Sequence, residues 1–197
     1  MNKANYSLAE KYVFSRLERE LPATLYFHGP SHTREVLKTA ERLADLESVS
    51  VEELFLLKTG ALYHDIGFLE QYQNNESLGV RIAENSLSNF GYDSQQIEIV
   101  SGIILATRLP QNPRTKLEEL MCDADLDNLG REDFYIKTEQ LRREFAEYGI
   151  SKTPREWYED LIPFLEQHKY FTKSAKRLRQ KQKERHLHEI RQLLGIV

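Results

Sequence analysis

The sequence predicts an all-α fold, a multi-helix bundle with a metal site among its core helices. Three observations predict it. Apolar residues recur at helical spacing in nearly every segment. No stretch alternates apolar and polar residues long enough to make a strand. Prolines, glycines and capping residues fall between the periodic segments.

The elements follow in order. Residues 6–21 place Leu8, Tyr12, Val13, Leu17 and Leu21 at helical spacing, and Pro22 ends the run. Residues 26–31 form a loop around Gly29-Pro30. Ser31 or Thr33 then caps a helix with Val36, Leu37, Ala40, Leu43 and Ala44 on one face, so His32 sits at a helix start. Ser50 opens the next helix with Glu52 and Glu53 in its first turn and Glu53 three residues after the cap. Its stripe is Leu54, Phe55, Leu57, Ala61 and Leu62, and His64-Asp65 closes it before Gly67 lets the chain turn. Residues 69–76 read as a loop. A helix then runs to Phe90, where Gly91 stops it, and Ser94 caps another carrying Ile97, Val100, Ile103, Ile104 and Ala106. Pro110 and Pro113 bound a loop. Residues 117–129 make one helix that offers Asp123, Asp125 and Asp127, and residues 133–148 an amphipathic one. Thr153-Pro154-Arg155-Glu156 is a cap, a proline at the first helical position and an acidic turn. A last helix from Thr172 carries a basic run. There is no internal repeat and no composition break, so residues 1–197 read as one domain, with a motif-bearing core over 26–130 and a helical extension over 131–197.

Composition sets bounds. The chain has 197 residues, 40% hydrophobic and 29% charged, a globular balance large enough for an ordinary core. No apolar run reaches the roughly 18 residues of a membrane span. The stretch from Met1 to Ser7 has no signal-peptide core. Cys122 is the single cysteine, which rules out an intrachain disulfide or a cysteine-rich metal site and suits a small core filler. These features fit a reducing, cytoplasmic setting with no membrane partner. A net charge of −4 is too mild for a nucleic-acid binder overall. The charge is uneven, however: eight lysines and arginines lie in residues 169–185 against only Glu184. Such a run suits a solvated helix face, or more weakly a collar for anions or RNA.

The chemistry concentrates in Ala61-Leu62-Tyr63-His64-Asp65-Ile66-Gly67. A neutral ring nitrogen beside a hard carboxylate oxygen can hold one divalent ion. Taken alone, such a pair more often does no more than hydrogen-bond locally when buried. Upstream stands Tyr26-Phe27-His28-Gly29-Pro30-Ser31-His32, and downstream Cys122-Asp123-Ala124-Asp125-Leu126-Asp127. The ordered set of a histidine, a His-Asp pair and an aspartate in an Ala-Asp-Leu segment resembles the HD superfamily of metal-dependent phosphohydrolases. This resemblance implies His32, His64, Asp65 and Asp125 as ligands of a divalent ion: Mn, Fe, Ni, Co or Zn by its mixed nitrogen and oxygen donors. Asp125 is preferred to Asp123 because Ala124-Asp125 aligns with the family motif. On one helix the two would point about 200° apart, so they could not share an ion. Asp123 and Asp127 are expected to cap helices or face solvent. An ion so held would activate water near neutral pH.

The resemblance carries three further expectations. In the cyclic-nucleotide phosphodiesterase branch a proton-donating histidine stands four residues before the first metal histidine, which is where His28 lies. Ile104-Leu105-Ala106-Thr107 is similar to a family segment that a histidine often follows; here Arg108 follows, suited to gripping a phosphate. Asn75 and Phe68 also stand where related enzymes carry histidines. The pattern therefore favours one strong site, with Mg or Mn as a weaker second ion through Asp65. The implied activity is hydrolysis of a phosphomonoester or phosphodiester, with a nucleotide as substrate. Rival readings are a catalytically silent metal- or nucleotide-binding regulatory module, and an RNA-interacting protein using its basic helix. Oligomeric state is left open. Tyr63, Trp157, Phe164 and Phe171 read as packing residues.

Overall fold

The computed structural model describes residues 4–196; Met1–Lys3 of the N-terminal stretch and Val197 lie outside the described residues. Among them are nine α-helices and no strand: α1 (Tyr6–Glu20), α2 (Pro30–Leu46), α3 (Val51–Tyr63), α4 (Asn75–Leu87), α5 (Ser94–Ala106), α6 (Lys116–Asp125), α7 (Phe134–Glu147), α8 (Pro154–Gln167) and α9 (Lys173–Leu194). No helix is long and apolar enough to cross a membrane.

Helix α3 is the axis of the bundle. It packs against α1, α2, α5 and α6, and its C-terminal half is buried all round: Leu56, Leu57, Thr59, Gly60, Ala61, Leu62 and Tyr63. A helix surrounded on every side needs such composition rather than one apolar stripe. Leu57 and Leu62 are fully buried, each contributing about 1.5–3 kcal/mol relative to exposure. The expected cap at Ser50 is present as a full capping box with Glu53. Its first turn is more exposed than the periodicity predicts; Leu54 and Phe55 are only partly buried, and in α1 Leu8 is exposed.

A second cluster of buried residues joins the last three helices: Leu129, Phe134, Trp157, Leu161, Leu165, Ile190 and Leu194. The hinge between the two clusters is a 3₁₀ turn, Asp127–Gly130, on which α9 packs. Gly130 is required there, because a Cβ would lie 2.5 Å from the carbonyl oxygen of Arg179.

Several local expectations need correction. Helix α2 is capped by Gly29, with Pro30 at its first turn, not by Ser31 or Thr33. Thr33 is instead buried. Helix α5 is capped by Asp93 in a capping box with Gln96, so Ser94 is its first residue. Residues 69–76 are only partly loop: a 3₁₀ turn covers Ile66–Leu69 and α4 begins at Asn75. Gly67 serves a close approach rather than a reversal, since a Cβ there would fall 1.9 Å from the carbonyl oxygen of Asn75. The helix expected over 117–129 stops at Asp125.

Asp123 and Asp127 are buried rather than solvent-facing. Asp123 accepts the backbone N–H groups of Phe171 and Thr172, both at 2.8 Å, fixing the entry to α9. Asp127 pairs with Arg179 through two hydrogen bonds of 2.6 and 2.9 Å. The basic run is therefore not wholly a solvated face: Arg179 is in a pair, and Lys183 is buried with its Nζ donating to the carbonyl of His168 at 2.5 Å. Lys173, Lys176, Arg177, Lys181 and Arg185 are exposed.

Candidate metal centre

Three helix ends converge on one point. His32 is on the first turn of α2. His64 is the C-cap of α3, where the aligned carbonyls favour positive charge, and Asp65 follows it. Asp125 is the last residue of α6.

The donor atoms lie close together. His32 Nε2 is 3.2 Å from Asp125 Oδ1 and 3.3 Å from His64 Nε2. His64 Nε2 is 3.6 Å from Asp125 Oδ1. Asp65 Oδ2 stands 3.0 Å from His64 Nε2 and 3.5 Å from His32 Nε2. Donors bound about 2.1 Å from one ion, at angles of about 90 to 110°, stand roughly 3.0–3.4 Å apart. The donor atoms of His32, His64 and Asp125 all lie within 4.8 Å of one another, and Asp65 meets the same two histidines from beside them.

The protonation chemistry also fits a cation. His64 Nδ1 donates to the carbonyl of Ala61 at 2.8 Å, which leaves its Nε2 lone pair for the cluster. Asp65 Oδ2 is buried and has no aligned hydrogen-bond partner despite its short contact with His64. Asp65 Oδ1 accepts from Asn75 Nδ2 at 3.4 Å. A buried carboxylate oxygen without a donor is costly unless a cation meets it. Burial alone would lower the His64 pKa, but the adjacent Asp65 charge and then Asp125 push it up to about 9. Burial would likewise raise the Asp65 pKa, but His64 holds it well below the usual carboxylate range. Without metal, a proton on His64 takes the positive charge that the carboxylates demand.

Beside the donors is a cavity of about 180 Å³. Asp65, Asp125, Asn75, Glu76 and His28 contribute polar lining on one side, and Asn128, Lys137 and Thr138 add more; Phe27, Phe68, Phe134, Phe145 and Phe164 contribute much of the rest. Phe164, expected to be packing, is thus a cavity wall, whereas Trp157 and Tyr63 are core as expected. Phe171 is partly buried and lines a separate cleft.

His28 lies on this cavity, stacked on Phe68 at 4.5 Å between ring centroids. Its Nδ1 contacts Glu144 Oε1. Glu144 was not among the residues singled out from sequence. It is completely buried on α7, and its Oε2 accepts the backbone N–H groups of Phe27 and His28 at 2.8 and 3.1 Å. Tyr72 donates its hydroxyl to Oε1 at 3.1 Å. Burial would depress the His28 pKa, but the bond to Glu144 and the nearby Asp65 charge raise it. Burial would raise that of Glu144, but His28 and the two backbone donors hold it below the ordinary range. The dyad thus favours an imidazolium with Nε2 as its free donor.

Arg108 lies elsewhere. Its guanidinium is half exposed, donates to Asn74 Oδ1 at 3.1 Å and Ser77 Oγ at 2.6 Å, and pairs with Glu76 at 3.5 Å. Its neighbours Thr107 and Leu109 line the cavity, and Arg108 lines a different cleft. Cys122 is buried, its S–H directed at the carbonyl of Ala106 and its pKa raised by burial, as suits a filler rather than a reactive thiol.

The family model described as the HD domain matches residues 31–128. Two solved structures are similar over nearly the whole chain. One is Bacillus subtilis YpgQ, with a TM-score of 0.67 and 20% identity over 97% of this chain and 94% of that one. The other is Bacillus subtilis YpgQ in complex with ADP, with a TM-score of 0.65 and 18% identity over 98% of each chain. Likeness at such identities shows the fold alone. Among curated proteins, none matches the chain.

Proposed function

This chain belongs to the HD-domain family, and from that premise we propose that it is a metal-dependent phosphohydrolase acting on a nucleotide, as a phosphomonoester or a phosphodiester. One observation carries the reading: His32, His64, Asp65 and Asp125 cluster beside a cavity that Asp65 and Asp125 line, with Asp65 Oδ2 buried and without an aligned hydrogen-bond partner. These four residues would hold a divalent ion, whose mixed nitrogen and oxygen donors suit Mn, Fe, Ni, Co or Zn. Bound there, the ion supplies a Lewis acid and lowers the pKa of water.

The chain's own residues do the rest. His28 stands on the cavity, and Glu144 keeps it charged and oriented to give its Nε2 proton to the departing oxygen. The phenylalanines exclude water and offer flat apolar surface to a nucleobase. Arg108 is in reach of an outer phosphate only by leaving Asn74, Ser77 and Glu76. That a protein of the same fold crystallised with ADP supports a nucleotide as the ligand. Asn75 sits against Asp65 where a further histidine would strengthen a second site, so a second ion, Mg or Mn, would be held weakly through Asp65.

The test is turnover of a panel of nucleotides and generic phosphoesters with Mn added, alongside elemental analysis of protein purified without chelator. We expect bound metal and turnover, both abolished by His64→Ala. Metal without turnover on any substrate would instead favour a silent binding module, for which Asn75 and Phe68 are the motivating residues.

A further inference from the structure

We propose, on the nucleotide-hydrolase reading above, that Lys137 with Thr138 beside it on α7 grips the substrate's phosphate. Among the described residues, Lys137 is the one lysine or arginine lining the cavity that also holds His28, Asp65 and Asp125. It is 9% exposed, an unusual place for an ammonium without a ligand to serve. Its Nζ donates to Glu35 Oε1 at 2.7 Å, and an ammonium has three donors, so two remain. Glu35 does not fully neutralise it: the other carboxylate oxygen is held by Arg131 at 3.0 Å, and Arg131 also pairs with Asp133.

Thr138 lines the same cavity. Its Oγ1 accepts the indole N–H of Trp157 at 2.8 Å. That bond occupies a lone pair and leaves the hydroxyl hydrogen free to donate. Asn128 also lines the cavity, and its Oδ1 is buried without a partner, an acceptor suited to a ligand hydroxyl or amino group. The cavity's other charged groups are the carboxylates Asp65, Glu76 and Asp125, which would repel a phosphate, and His28, whose charge is already paired with Glu144. A fixed cation is what lets an anion enter. Arg108 does not fill that role from its position: it is not part of the lining and is already bound to Asn74, Ser77 and the lining residue Glu76.

Calorimetric titration of the Mn-loaded protein with ADP and with adenosine tests this. Lys137→Met should weaken ADP binding about tenfold or more and leave adenosine unchanged. Lys137→Gln is the second variant, keeping a donor for Glu35, and should show the same loss for ADP. Glu35→Gln should retain ADP binding, since the lysine stays, and Arg108→Ala should change it less than about threefold. Unaltered ADP affinity in Lys137→Met and Lys137→Gln would overturn the assignment while leaving the hydrolase reading intact. So would a loss in Glu35→Gln equal to that in Lys137→Met, which would make the lysine a structural partner. Wild-type protein that binds neither ADP nor adenosine would sink the nucleotide reading and this assignment together.

Discussion

The two sides of the cavity are made of different material. The segment from α2 to α6 gives His32, His64, Asp65 and Asp125, polar groups with short mutual contacts and no fixed cation among them. The segment from α7 to α8 gives Phe134, Lys137, Thr138, Leu141, Phe145, Leu161 and Phe164, a mainly apolar wall with one ammonium. The first builds a seat for charge. The second shapes what can be brought to it. Glu144 crosses the divide, sitting on α7 and holding His28, just before α2. Chemistry and recognition are thus separable along the chain, with one carboxylate coupling them.

The sharpest way to break this comparison is Asp125→Ala. It should empty the metal site and cut turnover by more than about a thousandfold while the helices persist, read by elemental analysis and circular dichroism. Retained metal would move the ligand set to another face.

Glu144→Gln should come next, with metal retained and kcat lowered on the order of a hundredfold. The Glu144 contact and charge help to raise the His28 pKa. Losing that charge lowers it, so the protonated donor is lost at a lower pH and the alkaline limb of the rate profile moves down. An unmoved limb would deny His28 its role as acid.

Asp123→Ala sharpens the contrast from the opposite direction. It should leave metal content and kcat near wild type but cost about 2–3 kcal/mol of stability, because the N–H groups of Phe171 and Thr172 lose their acceptor. A thermal melt reads that cost.

The smallest effect is linkage. His64 is held at about 9 in the metal-free protein, above its ordinary value. At pH 8 most of the imidazole is therefore protonated, and an incoming ion must displace about one proton. Metal affinity should fall close to tenfold per pH unit below about 9, and titration in buffers of differing ionisation enthalpy counts the proton. The raised pKa also stabilises the metal-free fold below pH 6.5, a contribution lost as pH rises through about 9.

Much of this was legible in the residues. His32, His64 and Asp125 carry their spacing and neighbours openly, and the caps at Ser50 and Thr153 lie where the sequence puts them. Asp123 and Asp127 were misread because their partners, Phe171, Thr172 and Arg179, are some fifty residues away. No local pattern announces such a pairing. Glu144 did leave a trace. With Lys137 and Thr138 it falls on the face of α7 that also bears Leu141 and Phe145, seven residues beyond Lys137. A charge set on an apolar stripe is a question about what it meets. Arg108 was singled out from its place after Thr107, but a helix-end position does not say which way a long side chain will turn.

Glu144 also governs what can be cut away. A chain ending soon after Gly130 would keep every proposed cation ligand, yet the amides of Phe27 and His28 would lose their buried acceptor. Those two amides should exchange with deuterium slowly in the full chain and quickly in the truncated one. An excised motif region would then carry the proposed ligands with an unfastened acid.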